Sequence, residues 1–171
     1  MDDARVGVYA HVPFCERVCP YCDFAVEKAP SLPRAVEDEY VDALLAELSL
    51  RRARFAGRAL ATLYLGGGTP SLLRPQSIER IVAAVRAAFP DAPGETVETT
   101  LELNPGTTER ERLPAFRAAG VDRLSIGVQS FDDGTLKRLG RAHRARDCCA
   151  ALEAVRAAGF ENASLDLILA A

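Results

Sequence analysis

The chain has 171 residues, 49% of them hydrophobic and 26% charged, a size and composition at which one domain around one buried core is the default. Its 21 Lys and Arg stand against 24 Asp and Glu, a net charge of −3 with both signs scattered, so no basic field marks a nucleic-acid partner. No apolar run reaches the roughly 18 residues of a membrane span, and Met1-Asp2-Asp3 is acidic where a signal peptide is basic, so a cytoplasmic protein without a membrane span is expected.

Short runs rich in Val, Leu, Ile, Tyr or Thr alternate with helix-spaced segments, the pattern of strands joined by crossover helices. The first predicted strand covers 6–11; a cysteine-bearing loop follows, then a helix over 36–54 with Tyr40, Leu44, Leu45 and Leu48 on one face. A strand at 60–65 leads to a helix over 76–89 that carries Ile78, Ile81, Val82 and Val85. After a strand at 96–103, Thr107 or Thr108 is placed to cap a helix running through Leu113 and Phe116 to Gly120. A strand at 123–128, a helix at 146–158 ending before Gly159, and a strand at 164–168 complete the series. The stretches 110–126 and 146–165 resemble each other, with Arg-Ala-Ala-Gly-Val-Asp in one and Arg-Ala-Ala-Gly-Phe-Glu in the other, an internal helix-loop-strand repeat. Right-handed crossovers between successive parallel strands build a curved α/β sheet, a barrel or part of one. A closed eight-stranded barrel takes about 250 residues, so these five strands predict an incomplete one.

The chemistry concentrates in the cysteines. Cys15, Cys19 and Cys22 share one loop, whereas Cys148 and Cys149 are adjacent and far away, an odd and clustered set that points to metal or redox chemistry. Three thiolates on one loop can hold three irons of a 4Fe-4S cubane and leave the fourth open to an exogenous ligand. A zinc site completed by His11 or Asp23, and three unrelated buried thiols, are the other readings. Gly66-Gly67-Gly68-Thr69-Pro70 follows the second strand; it lets backbone approach a ligand closely or simply makes a tight turn, and without Lys-Ser/Thr it is no phosphate loop. Glu102, at the C-terminal end of the third strand, suits a ribose hydroxyl or an ammonium group, or is a solvated strand-end charge. Gln129 ends the fourth strand. Arg141 can pair with a carboxylate or sit on the surface, and Asp166 can accept from a hydroxyl or belong to a local network. His143 reads as a hydrogen-bonding loop residue, and Cys148 and Cys149, pointing apart on a helix, read as packing thiols.

The phrase Tyr9-Ala10-His11-Val12-Pro13-Phe14-Cys15, continued by Cys19, Tyr21 and Cys22-Asp23-Phe24, resembles the radical S-adenosylmethionine (SAM) superfamily, and within it the branch of oxygen-independent coproporphyrinogen III oxidases and HemW-type haem chaperones. The resemblance covers nearly the whole chain. It implies that residues 1–171 form one truncated radical SAM core, an incomplete (β/α)6 partial barrel with parallel strands. It further implies a 4Fe-4S cluster on Cys15, Cys19 and Cys22, and SAM bound to the open iron. Gly67, Gly68 and Thr69 of the Gly-Gly-Gly-Thr-Pro loop would take the SAM amino group, with Tyr9, Tyr21, Glu102, Gln129, Arg141 and Asp166 completing the cofactor site. Phe24 stands where the oxidase carries a further cysteine, and the first strand starts almost at the N-terminus; both features resemble the HemW type. The implied function is haem delivery, with haem or porphyrin, an electron donor and a haem acceptor protein as partners. The alternative is radical SAM decarboxylation of coproporphyrinogen III. The family continues past the Asp-Leu-Ile strand with Gly-Leu-Pro, whereas this chain reads Asp166-Leu167-Ile168-Leu169-Ala170-Ala171. A fragment lacking the last barrel strand and the C-terminal domain is therefore expected, with haem binding only in the presence of that missing part.

Overall fold

The apolar positions alternate along each long strand, so one face of the sheet must be covered and the other can carry polar side chains. The computed structural model describes residues 5–91, 94 and 96–169. Strands β1 (Arg5–Val12), β4 (Ala59–Gly67), β5 (Glu98–Leu103), β6 (Arg123–Gln129) and β7 (Asn162–Leu167) form one sheet in the order β1-β4-β5-β6-β7, every pair parallel. Each crossover thus moves the chain one place in the same direction, and residues from the C-terminal ends of all five strands meet at one rim.

Helices α1 (Arg34–Arg51), α2 (Pro75–Ala88), α3 (Thr107–Ala118) and α5 (Ala145–Ala157) make the connections. The core lies between them and the sheet. Val12, Leu63, Leu65, Leu101, Leu124, Ile126 and Val128 from the strands meet Ile78, Ile81, Val85, Leu113, Phe116 and Val155 from the helices, all essentially without solvent contact. The face predicted for α2 is therefore the buried one. That of α1 is only half-covered: Val41 is buried, while Tyr40, Leu44, Leu45 and Leu48 border an apolar groove of about 600 Å³ along the edge strand β1. The buried carboxylate of Glu37 on α1 accepts from Arg74 N (2.7 Å) and Nε (3.0 Å) at the head of α2, which pins the two helices together.

The internal repeat is real in three dimensions. Gly120 and Gly159 both have positive φ (95° and 82°), and the next residue's N–H turns back to the helix, Val121 to Phe116 O (3.2 Å) and Phe160 to Val155 O (3.1 Å). The same left-handed helix stop therefore launches β6 and β7.

Several predicted boundaries are corrected. Pairing of β5 with β4 starts at Thr62↔Glu98, so Thr96 and Val97 precede the strand. The ladder of β6 with β7 starts at Arg123↔Asn162, two residues before the predicted start, and Ile168 lies beyond the strand although its N–H donates to Gln129 O (3.0 Å). The N-cap of α3 is Gly106, not Thr107 or Thr108. The first helix breaks into a 3-10 turn at Arg52–Phe55. Three short elements carry no periodicity and were not foreseen: the parallel pair β2 (Phe14–Cys15) and β3 (Glu27–Lys28), and α4 (Asp133–Arg138), capped by the Asp132 carboxylate accepting from Thr135 N (2.7 Å). Among the described residues no helix is long and apolar enough to cross a membrane.

Candidate functional site

At the C-terminal rim of the sheet lies a cavity of about 710 Å³. Its wall is built from the cysteine loop, the glycine loop after β4, the end of β5, the end of β6, the turn after α4 and Asp166 of β7. Cys15, Cys19, Cys22, Tyr21, Gly67, Gly68, Thr69, Glu102, Gln129, Arg141 and Asp166 all line it. Of the predicted site residues only Tyr9 does not. It is 56% exposed on the edge strand and stacks on Tyr64, ring centroids 6.0 Å apart, so it stands one ring behind the wall.

The cysteine loop leaves β1 at Pro13 and is held at few points. Cys22 N donates to Cys19 O (3.0 Å), and Glu27 and Ala29 donate back to Pro13 O and Cys15 O (2.8 and 2.7 Å). Cys15 is buried, Cys19 and Cys22 are half-buried, and all are free thiols. Burial raises the Cys15 thiol above its ordinary pKa; the Thr69 hydroxyl, which donates to its sulfur (3.7 Å), opposes the rise, and the Cys22 and Cys19 thiols add to it. Cys19 Sγ accepts from Arg141 Nη1 (3.5 Å).

The zinc reading loses its proposed fourth ligands. Both ring nitrogens of His11 are engaged, Nε2 with Ala25 O (2.8 Å) and Nδ1 with the Tyr9 hydroxyl (3.2 Å), and neither His11 nor Asp23 lines the cavity. The reading of three unrelated buried thiols also fails, since the three cysteines line one cavity and two of them are only half-buried.

Close packing inside the protein requires the glycines of the loop as well. A Cβ on Gly68 would stand 2.7 Å from Phe14 O, and one on Gly67, whose φ is +112°, would stand 2.6 Å from the His11 ring. The space a side chain would take is filled by the cysteine segment, so these glycines let the two loops touch. Backbone contacts close the joint, Gly68 N to Val12 O (2.7 Å) and Thr69 N to Phe14 O (2.8 Å).

Two carboxylates face the cavity from neighbouring parts of the polar sheet face. Glu102 accepts from the Tyr64 hydroxyl (2.8 Å) and Gly67 N (3.0 Å); both Asp166 oxygens lie 3.0 Å from the Ser125 hydroxyl, which donates to one at a time. Among the described residues neither is paired with a cationic side chain, so both suit a ligand that brings hydroxyl or cationic groups. Two arginines line the cavity, Arg17 and Arg141, and Arg141 is the one set deep in the wall. Its Nη2 donates to Gly127 O (3.0 Å) and to Asn104 Oδ1, its Nη1 reaches Tyr21 Oη (3.4 Å), and its buried Nε has no partner. An orphaned guanidinium donor in a cavity wall fits an anionic ligand group. Burial raises the Tyr21 phenol above its ordinary pKa, with Arg141 opposing.

Gln129 is the one non-glycine residue with positive φ (66°) among the described residues. Such a conformation costs on the order of 1–3 kcal/mol and persists where surroundings fix it. Here Ser130 N (2.8 Å) and His143 Nε2 (3.0 Å) both donate to Val128 O, just before it. His143 is thus the buried hydrogen-bonding residue expected, and burial lowers its pKa below the ordinary value. Cys148 is buried on α5 and burial raises its thiol pKa, but Cys149 is exposed, so the packing role holds for Cys148 alone.

Sequence reasoning missed Tyr64, Asn104, Glu109 and Ser125 in the wall. Tyr64 lies two residues before Gly66 and Asn104 two after Glu102, so the period of a strand already put both on the cavity face. Glu109 follows the loop onto α3, is buried, and has its carboxyl pKa raised by that burial; no strand period marks it.

An open parallel sheet with a cysteine loop, a glycine loop and polar strand ends around one cavity defines an α/β partial barrel with a candidate site at its rim. The sequence matches the Radical SAM superfamily over residues 9–170, and the chain belongs to that superfamily. Its sheet is the five-stranded part of the radical SAM partial barrel. It is 41% identical over 164 residues to the haem chaperone HemW of Escherichia coli (strain K12), covering 95% of this chain and 42% of that protein. It is 42% identical over 163 residues to the haem chaperone HemW of Mycobacterium tuberculosis (strain ATCC 25618 / H37Rv), covering 95% and 41%. The solved structure of the coproporphyrinogen III oxidase HemN from Escherichia coli, a radical SAM enzyme, superposes with a TM-score of 0.81 at 32% identity over 94% of this chain and 36% of that one. The chain therefore spans less than half the length of these relatives.

Proposed function

We propose that this chain is the cofactor-binding core of a cytoplasmic HemW-type haem chaperone. The observation that carries the reading is the convergence of three free thiols, an orphaned arginine donor and two cation-free carboxylates on one cavity. Cys15, Cys19 and Cys22 hold a 4Fe-4S cluster, and SAM occupies the remaining space. When bound, the cluster and SAM supply one-electron chemistry that no side chain of this protein has. The protein's part is to bind and orient: Gly67, Gly68 and Thr69 face the SAM amino group, Arg141 its carboxylate, and Glu102 and Asp166 its hydroxyl and cationic groups. Tyr21 and Gln129 close the wall, and Tyr9 acts from behind it. Residues 1–171 are one core unit, and haem or porphyrin, the electron donor and the haem acceptor protein are partners of the whole protein. The identities near 40% to two HemW proteins support this, as does Phe24 at the cavity mouth, where the oxidase carries a cysteine.

The likeness to HemN supports a second reading, oxidative decarboxylation of coproporphyrinogen III. The core claim is tested by anaerobic reconstitution with iron and sulfide, followed by electron paramagnetic resonance of the reduced protein. A 4Fe-4S signal that shifts on adding SAM and is lost in Cys19→Ala is the expected result; a cluster indifferent to SAM rules the reading out. Haem titration and anaerobic turnover of the whole protein then separate the two functions: haem binding without decarboxylation is expected.

A further inference from the structure

Behind Glu102 stands Tyr64, a residue outside the cysteine and glycine motifs. Tyr64 lies in β4 on the cavity face, and its hydroxyl donates to Glu102 Oε1 (2.8 Å) while Gly67 N donates to Oε2 (3.0 Å). Each carboxylate oxygen thus receives one donor from the protein, and the two together fix the plane of the group. An ionised carboxylate has about four acceptor sites, so lone pairs remain on both oxygens for a ligand. The arrangement is closely fitted. A Cβ on Gly66 would stand 2.7 Å from Tyr64 Cε1 and 3.0 Å from Glu102 Cδ, so glycine at the head of the glycine loop lets ring and carboxylate meet. On its far side the Tyr64 ring is held by Tyr9, stacked at an interplanar angle of 26°. Burial, and the neighbouring Glu102, push the phenol pKa up to about 12, so the hydroxyl keeps its proton and remains a donor.

We propose that Tyr64 is a positioning residue: its hydroxyl locks the Glu102 carboxylate in the orientation that receives the donor groups of SAM, and Tyr9 contributes by holding the Tyr64 ring. This rests on the SAM-binding reading of the cavity and adds to it the residue that orients the carboxylate. It also gives a place to Tyr9, which does not line the cavity but stacks on Tyr64.

The test is a double-mutant cycle on SAM affinity, by anaerobic calorimetry of the reconstituted chain, with Tyr64→Phe, Glu102→Ala and both together. Tyr64→Phe keeps the ring, the stacking and the iron content, and is expected to weaken SAM binding about tenfold or more, the value of one hydrogen bond to a charged group. In the Glu102→Ala background the same change is expected to cost nothing further, a coupling that a merely structural role would not produce. Should Tyr64→Phe fail to fold, Tyr64→Met, which fills the slot without a donor, carries the same comparison. Unchanged affinity in Tyr64→Phe, or an equal loss in both backgrounds, overturns the proposal while leaving SAM binding intact. Absence of SAM binding by the wild-type chain overturns the cavity reading itself, and this proposal with it.

Discussion

Arg141 is the side chain on which most of the cavity wall converges. Its guanidinium reaches Cys19 of the cysteine loop, Asn104 after β5 and Gly127 of β6, three segments far apart in the chain. A planar fork with five donors can serve all of these at once, whereas an ammonium with three cannot. The unpartnered Nε makes the substitution Arg141→Lys informative, because charge is retained and geometry is lost. Hydrogen bonds to charged groups are worth about 1.5–3 kcal/mol each, so Arg141→Lys is expected to weaken SAM binding by roughly tenfold or more. Iron content after reconstitution should stay at the wild-type level, because all three cysteines remain and only one contact to Cys19 is lost. Parallel iron analysis and SAM titration check this, and a variant that binds SAM as the wild type does would show that the guanidinium serves only the wall.

The two helix-to-strand turns offer a comparison within one molecule at the level of the element. Gly120 and Gly159 share a left-handed backbone, but a Cβ on Gly159 meets nothing within 4 Å while one on Gly120 stands 3.2 Å from Val82 Cγ1 on α2. Gly159→Ala is expected to lose about 1–2 kcal/mol, the backbone cost alone, and Gly120→Ala more, because α2 must also give way. Urea unfolding of both variants measures the difference, and equal losses would mean that Val82 moves freely. The same turns show what a sequence can tell. Five strands and four long helices were legible because each buries a face and therefore carries a period; the helix stops were legible because only glycine takes that conformation cheaply. The pair Phe14–Cys15 with Glu27–Lys28 and the helix Asp133–Arg138 were not, since elements of two or six residues show no period and depend on what they pair with or cap. Strand ends at Glu98 and Asn162 likewise follow from the ladder with a neighbour, which the local sequence does not contain.

Over the whole molecule, the sheet and its helices are a preformed scaffold, and the cysteine loop is the part that a cluster would complete. Which residues line the cavity was legible from motif resemblance for Cys15, Gly67, Glu102, Arg141 and Asp166. Where they meet was not, because it depends on segments brought together by parallel pairing, which also sets Tyr64 and Asn104 beside them in one wall. The loop itself is thinly held. Residues 16–18 are exposed, and between Cys15 and Lys28 the backbone ties are one turn at Cys19–Cys22, two bonds in the β2–β3 pair and the His11 contact to Ala25 O. Such a segment opens at far lower cost than the sheet, and ligands that bridge its three cysteines must raise that cost locally. Arg17 lies between the first two cysteines and is exposed, so trypsin cleavage after it reports on the loop alone, whereas cleavage after Arg54, exposed beyond α1, reports on the scaffold. Anaerobic restoration of iron and sulfide is expected to slow cleavage after Arg17 by about tenfold or more while leaving cleavage after Arg54 unchanged. Chelating the iron should reverse the protection. Equal protection at both sites would mean that the cluster stabilises the entire fold and that the scaffold is not preformed; no protection at Arg17 would mean that the loop does not close around iron.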